Sequence, residues 1–347
     1  MKRVIALKLR ELEKSLRIEL ASAFSKKPWL SIFYYCVFSR SFCRECQAVL
    51  QGKVRYHESL KGDNQYLLKR NIHRLEKGLV MKPFRNLFAI DYIKETVTGY
   101  EKYIHHFKEY RDSQDEAIWY FSVLSKYFEV VSSHPAIDEA KEIFYTIPSI
   151  ENTIPLVPYR RRDNQLSVVS YKDFMSLCKQ RRSVRWYLQK AVPRSLIDQA
   201  MSAALLSPSA CNRQPFEFRV FDDPLLIRQI GAMPRGTNGF HQNFPAVVVV
   251  IGKLSAYFDE RDRHVIYIDA ALAAMSFMYA LETLGLSSCP INWPDIEVLE
   301  KEMTDLLNLE LAERVVMLIS IGFPDPEGLI PYSQKKSLDQ IIKYNKL

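Results

Sequence analysis

At 347 residues, with 48% hydrophobic and 25% charged side chains, the chain is long enough for one large core or two modest ones. Its 19 Tyr and 19 Phe argue against intrinsic disorder, and 11 glycines are too few for a glycine-rich binding array. The formal charge is +8, of which residues 1–50 carry +6 through ten Lys or Arg against four Glu. No nucleic-acid reading motif accompanies that charge, so nucleic acid is not an expected partner; a solvated helix face, an acidic partner or an anionic lipid surface remain.

The chain opens on MKRVIALKLRELEKSLR and then PWLSIFYYCVFS, Pro28 to Ser39. The apolar stretch is much shorter than the roughly 20 residues of a spanning helix, and no signal-cleavage pattern follows, so a cytoplasmic protein is expected. Basic residues followed by aromatics also suit a helix lying on a membrane surface, which makes residues 1–40 a candidate peripheral membrane contact. The six cysteines form no regular framework and are expected to be reduced. Cys43 and Cys46 have CxxC spacing, and with Cys36 and His57 they could outline zinc, but one CxxC is a weak signal and no metal site is assigned.

Helical periodicity continues to about residue 146, with apolar stripes Tyr100, Tyr103, Ile104, Phe107 and Ile118, Phe121, Leu124, Phe128. Within it, NIHRLEKGLVM sets His73, Arg74, Glu76 and Lys77 on about one turn, with Gly78 as the expected helix cap. The segment TIPSIENTIPLVPYRRRDNQ breaks helices with Pro148, Pro155 and Pro158, which predicts a helical region over 1–165 and a second unit over 166–347.

Beyond the break the period changes. Pro193 opens a helix with Leu196, Ile197, Ala200, Met201, Ala204 and Leu205 on one face, ending in the polar loop SPSACNRQP. FEFRVF alternates as a strand does, AVVVVI and VVMLISI read as buried central strands, and IYIDAALAAMSFMYALETL reads as a helix buried at the centre or at a subunit interface. The layout is α+β.

In RRSVR the planar forks of Arg181, Arg182 and Arg185, with the Ser183 hydroxyl, form a candidate phosphate clasp, although a solvated basic turn would look the same. In PSACNRQP, Pro208 and Pro215 stiffen a turn carrying Ser209, Asn212 and Gln214, whose polar groups suit a neutral heterocycle edge or a sugar hydroxyl. A phosphate clasp and an amide loop joined by one helix point to a nucleotide-like cofactor.

RRSVR, PSACNRQP, the Asp269-containing helix ending LGLSSCPINWPD, and a closing strand followed by KKSLDQII together resemble the FMN-dependent nitroreductase family, over about residues 170–345. The resemblance implies a central, mostly antiparallel sheet and a homodimer with FMN sites shared between subunits. It implies that Arg181 and Ser183 hold phosphate and ribityl oxygens, with Arg182 beside them among the cofactor-binding residues, and that Arg185 faces the pyrimidine side of the flavin, where its charge would stabilise the reduced ring. Pro208, Ser209, Asn212 and Gln214 would reach the flavin from the partner chain. Pro290 and Ile291 would pack near the ring system with a backbone amide of Asn292 or Trp293 toward N5, and Lys335 and Lys336 would close on the phosphate. NADH or NADPH would be the reductant, and no side chain is assigned as a general acid.

Cys211 stands where relatives commonly place glycine, and Lys335 or Lys336 keeps the charge of a usual arginine without its fork. Trp293 is bulky enough to be expected as a roof over the pocket. The helical amino-terminal half resembles that of a nitroreductase-like subgroup associated with polysaccharide biosynthesis, and there His73 or Arg74 is either part of a charged helix end or part of the substrate pocket. The rival to an oxidoreductase is a flavin-binding scaffold that does not turn over.

Overall fold

The computed structural model describes residues 2–60, 64–107, 114–150, 155–163 and 165–346. Residues 151–154 and 164 of the expected linker, and the side chain of Phe107 from the first stripe, lie outside the described set.

Among the described residues, seven α-helices precede residue 147: α1 (Lys2–Phe24), α2 (Pro28–Val37), α3 (Cys43–Ser59), α4 (Gln65–Leu79), α5 (Ile93–Phe107), α6 (Gln114–Val130) and α7 (Pro135–Thr146). The α4 helix starts where the Asn64 side chain accepts the Leu67 N–H, and its stripe Leu68, Ile72, Leu75 is buried at the i, i+4, i+7 spacing of one helix face. That stripe meets Val97, Tyr100 and Tyr103 of α5 and Ile137, Ala140 and Phe144 of α7 in one aromatic-rich core. In α6 the deepest residues are Ala117, Tyr120, Val123, Leu124 and Tyr127, whereas Ile118 and Phe121 are only partly buried. The helix packs on both α4 and α5, so its covered face is wider than a single stripe and rotated from the one expected.

Gly78 is not a cap. The helix continues through it to Leu79 and is closed by Val80, and a Cβ at Gly78 would lie 2.1 Å from the Phe88 ring. The glycine is required by a close side-chain approach, a demand that local sequence does not display.

The second half contains α8 (Tyr171–Gln180), α9 (Arg194–Ala204), β1 (Phe216–Phe221), α10 (Pro224–Ala232), β2 (Ala246–Lys253), α11 (Val265–Thr283), β3 (Ser287–Asn292), α12 (Glu297–Leu307), β4 (Glu313–Gly322) and α13 (Leu338–Ile341). The four strands form one antiparallel sheet in the order β1-β2-β4-β3. Strand β2 is buried on both faces: Ala246, Val248 and Val250 pack into the core with α9 and α11, and Val247, Val249 and Ile251 pack into the core with α10 and α12. This is the expected α+β architecture with an antiparallel sheet.

Helix α3 belongs to the amino-terminal half but is bolted to the second. Ala48, Gly52 and Tyr56 repeat every four residues, and the small ones let α3 lie against the 3-10 turn Leu254–Ala256, where a Cβ on Gly52 would sit 2.6 Å from the Leu254 Cβ and 2.8 Å from its carbonyl carbon. Arg44 reaches Glu300 at 3.0 Å, Lys53 reaches Glu260 at 2.8 Å, and Arg55 pairs with Glu310. Because backbone cannot yield as a side chain does, Gly52→Ala is expected to destabilise this docking by about 1–3 kcal/mol. Limited proteolysis would show earlier cleavage in residues 1–60 while the sheet stays protected.

Candidate functional site

The clasp segment begins where α8 ends. Ser170 and Asp173 close a capping box at its start, and Gln180 at its last turn donates to the Glu282 carboxylate at 3.2 Å, fixing α8 against the carboxy-terminal end of α11. From Arg181 the chain becomes extended and adds itself to the sheet's open edge. Ser183 bridges Ser288 in parallel, with the Val184 N–H donating to the Ser288 carbonyl at 3.1 Å. Leu188 then donates to Phe323, and Asp325 to Trp186, so residues 183–188 run between β3 and the exit of β4.

Around this segment, three buried polar atoms have no hydrogen-bond partner among the described residues: Arg181 Nε, Ser288 Oγ and Glu282 Oε1. Buried donors and acceptors are nearly always paired, so two unpaired donors beside an arginine cluster fit an anionic, oxygen-rich group such as a ribityl phosphate. Burial pushes the carboxyl of Glu282 upward, opposed by Gln180, Ser287 and Arg181, and pushes the Cys289 thiol upward too. Arg185 is half-buried with its guanidinium 5.6 Å from the Phe240 ring centre.

Arg182 is already committed. Its guanidinium donates to the carbonyls of Pro331 (2.6 Å) and Tyr332. It therefore anchors the carboxy-terminal segment, and Lys335 and Lys336, both exposed, follow within about 10–15 Å of chain. Both bonds come from Nη2, so Arg182 tethers the segment that carries the lysines through one edge of its guanidinium.

The amide loop lies at the other end of α11. Ser207 Oγ bonds Ser276 Oγ at 2.8 Å, and the Ala210 N–H donates to Asp269 at 2.9 Å. Within the loop Ser209 Oγ accepts the Gln214 N–H at 3.0 Å, and the Gln214 amide donates to Asn212 at 3.2 Å. Cys211, Asn212 and Gln214 have φ of 53°, 53° and 51°, a left-handed conformation that costs a non-glycine residue about 1–2 kcal/mol each. A glycine at the Cys211 position would adopt that angle without the cost. Buried Arg213 braces the turn from inside, donating to the Ala210 carbonyl and lying 5.1 Å from the Tyr257 ring centre. Pro208 is exposed at the loop's start.

Asp269 is the residue that sequence reasoning noticed without assigning a role. One of its oxygens accepts both the Ala210 N–H and the Tyr257 hydroxyl. Burial raises its pKa, partly countered by those bonds and by Arg213. A carboxyl raised in the folded state adds stability below the unfolded carboxylate range and loses it as pH rises through the folded value. Asp269→Asn keeps an acceptor and removes the titration, so its stability is expected to fall less from pH 4 to 7 than that of the unaltered chain. Asp269→Ala orphans two donors, with an expected loss of about 1–3 kcal/mol for each. Denaturant titrations at the two pH values check both.

Pro290 is partly buried, Ile291 is in the core, and Asn292 is exposed at the end of β3. Trp293 does not roof a pocket. Its ring is 7% exposed, packs in the core on the α12 side and donates its indole N–H to Glu300, so only its backbone is free for a site. Near the amino-terminal half, His73 Nδ1 lies 3.2 Å from Glu76, which also accepts from Trp119 at 2.9 Å. Arg74 stacks 3.6 Å from the Tyr92 ring centre. The α4 helix carrying both packs against the turn Ala210–Asn212, next to the amide loop. His57 faces the Phe258 carbonyl at 3.1 Å, and Cys36, Cys43 and Cys46 are exposed.

One chain does not bring the clasp and the amide loop together. They attach beside Glu282 and Asp269, thirteen positions apart on α11, about 20 Å along its axis. Between them α11 shows solvent a stripe of Ile268, Ala271 and Leu272, continued by partly buried Met275 and Tyr279.

Comparison with known proteins places this arrangement. The Nitroreductase family pattern matches residues 178–323. Iodotyrosine deiodinase 1 of Pongo abelii is 24% identical over 60% of this chain and 80% of its own. A putative NADH dehydrogenase/NAD(P)H nitroreductase of Methanothermobacter thermautotrophicus is 26% identical over 45% of this chain and 80% of its own. Among solved structures, an FMN-dependent nitroreductase from Clostridium difficile R20291 is 27% identical over 50% of this chain and 99% of that one, with a TM-score of 0.43. The matched span, residues 178–323, holds both the strand-edge clasp and the loop at the opposite end of α11, and it is this part of the chain that matches the nitroreductase family.

Proposed function

We propose that the protein is an FMN-dependent oxidoreductase that works as a homodimer, taking hydride from NADH or NADPH and delivering it to a conjugated organic acceptor. The observation that carries this reading is the buried Arg181 Nε and Ser288 Oγ, unpaired at a cationic sheet edge. Bound there, FMN would supply the two-electron chemistry that no side chain here provides.

The chain's own residues bind and orient. Arg181 and Ser183 would hold the phosphate and ribityl oxygens, Lys335 and Lys336 would close over them, and Arg185 would set a fixed positive charge against the pyrimidine edge. The backbone after Pro290 and Ile291 would flank N5. An antiparallel pairing of α11 with its copy, through Ile268, Ala271 and Leu272, would lay the Pro208, Ser209, Asn212 and Gln214 loop of one subunit on the clasp of the other. The 20 Å offset within one chain and the exposed apolar stripe both favour such a two-fold pairing. The same pairing carries α4 with the loop, which would place His73 and Arg74 on the acceptor side. All six cysteines are free thiols, consistent with a cytoplasmic setting.

The relatives named for iodotyrosine deiodination add halogenated phenols to the acceptor classes, beside nitro compounds, quinones, enones and sugar-linked intermediates. Full-length protein should purify yellow or become so with FMN, and anaerobic NADH or NADPH should bleach it. Re-oxidation by a panel of those acceptors then names the class. A protein that binds FMN but is reduced by neither nicotinamide would be a scaffold, and a colourless one that ignores added FMN would defeat the assignment.

A further inference from the structure

The hairpin formed by α1 and α2 has no place in the flavin reading. Phe24, at the end of α1, packs its ring 6.1 Å from Phe33, 6.0 Å from Tyr34 and 5.5 Å from Phe38, and Ser31 Oγ donates to the Phe24 carbonyl at 3.1 Å. The turn is therefore preformed. Yet α2 buries no residue: Trp29, Ile32, Val37 and Phe38 remain 64%, 65%, 59% and 52% exposed. Aromatic and branched side chains at this density on one short helix leave a large apolar face uncovered.

The charge around that face has one sign. From Leu20 to Arg44 there is no Asp or Glu, while Lys26 and Lys27 precede α2 and Arg40 follows it. At the base, Arg44 is held by Glu300 and Thr304, so the hairpin is fixed to the domain at one end. A second copy is a poor occupant, since a two-fold contact would set the lysines of the turn and Arg40 against like charge. A membrane span is excluded by geometry: α2, at ten residues, is about 15 Å long against a hydrocarbon core of about 30 Å, and α1 carries nine charged residues among its 23. The sole stretch among the described residues that is long and apolar enough, Glu260–Thr283, contains α11 of the domain core.

We propose that the α1–α2 hairpin docks the protein flat on an anionic lipid bilayer, with Trp29, Ile32, Val37 and Phe38 in the boundary between headgroups and acyl chains. Lys26, Lys27 and Arg40 lie against the lipid phosphates. Aromatic rings with flanking cations are the side chains that settle at this boundary, where one end is apolar and the other wet. The docking would hold the oxidoreductase domain beside acceptors that partition into the bilayer.

The test is flotation of the full chain with vesicles of phosphatidylcholine alone or with about one-third phosphatidylglycerol. The chain is expected to float with the anionic vesicles and far less with the neutral ones. Each basic residue near the surface contributes about fivefold, so Lys26→Glu with Lys27→Glu should lower binding at least tenfold. Trp29→Asp with Ile32→Asp should abolish it, with unchanged thermal melting because both side chains are exposed and lie outside the ring cluster around Phe24. In the unaltered chain, raising salt toward about 0.5 M should release the protein. Failure to float with anionic vesicles, salt-insensitive binding, or a lysine variant that floats as well as the original would overturn the proposal. So would an aspartate variant that changes the particle's mass in solution and leaves flotation intact, because the face would then hold another copy.

Discussion

Replacing Arg181 and Arg185 together by glutamate is expected to weaken FMN binding by at least 100-fold, read by equilibrium titration of flavin fluorescence. Hydrogen bonds to charged groups contribute about 1.5–3 kcal/mol each, so losing two amounts to roughly 100-fold or more, and reversing the charge adds repulsion. Glutamate at 181 also faces Glu282, which is buried and already held upward in pKa. The doubly neutral variant, Arg181→Gln with Arg185→Gln, separates loss of the clasp from misfolding: it should keep the melting temperature and still lose most of the affinity. Arg182→Ala should behave differently, because that guanidinium holds the carbonyls of Pro331 and Tyr332 through Nη2. Its effect would come through a loosened tail that no longer presents Lys335 and Lys336, and it should be milder.

The largest stability effect is expected at Glu300. Its carboxylate is 4% exposed and meets Arg44 at 3.0 Å, Arg314 at 3.3 Å and the indole of Trp293. Arg314 is itself 2% exposed, and its Nε has no partner. Removing Glu300 leaves buried Arg314 with only the exposed Asp295 as counter-charge and the Trp293 indole unpaired, so Glu300→Ala should cost about 3 kcal/mol. Glu300→Gln, which still accepts from Trp293, should cost less. The change should also free α3, since Arg44 is one of its bolts, so chemical denaturation and proteolysis of residues 1–60 should move together. A variant with an unchanged midpoint would mean that solvent reaches the cluster.

Most of the architecture could be read from side-chain spacing. The α5 stripe over Tyr100, Tyr103 and Ile104, the branched runs of β2 and β4 and the apolar length of α11 depend on local periodicity and lie where they were expected, whereas in α9 Ile197, Ala200 and Ala204 are buried but Leu205, at the helix end, is 59% exposed. Strand β3 was hidden by Pro290, which a ladder tolerates here because β3 is a sheet edge, and the pairing that makes it an edge is not local information. Trp293 was misread for a related reason: its partner Glu300 lies on the following helix, and the ring turns inward to reach it. The clasp and loop were visible as motifs, but their supports were not. Ser288 matters because it bridges Ser183 across more than a hundred residues, and Arg213 because it folds back beneath its own turn. An aspartate inside the nearly continuous apolar run of α11 was the one available signal for the latch on the amide loop.

The most direct measurement is the affinity of full-length protein for FMN compared with riboflavin, which differ only in the phosphate. A clasp built from Arg181, Ser183 and the lysines after Tyr332 predicts FMN bound at least 100-fold more tightly, with the preference collapsing in Arg181→Gln with Arg185→Gln. Equal affinity for the two flavins would show that no phosphate is held at this sheet edge and would contradict the assignment of the site.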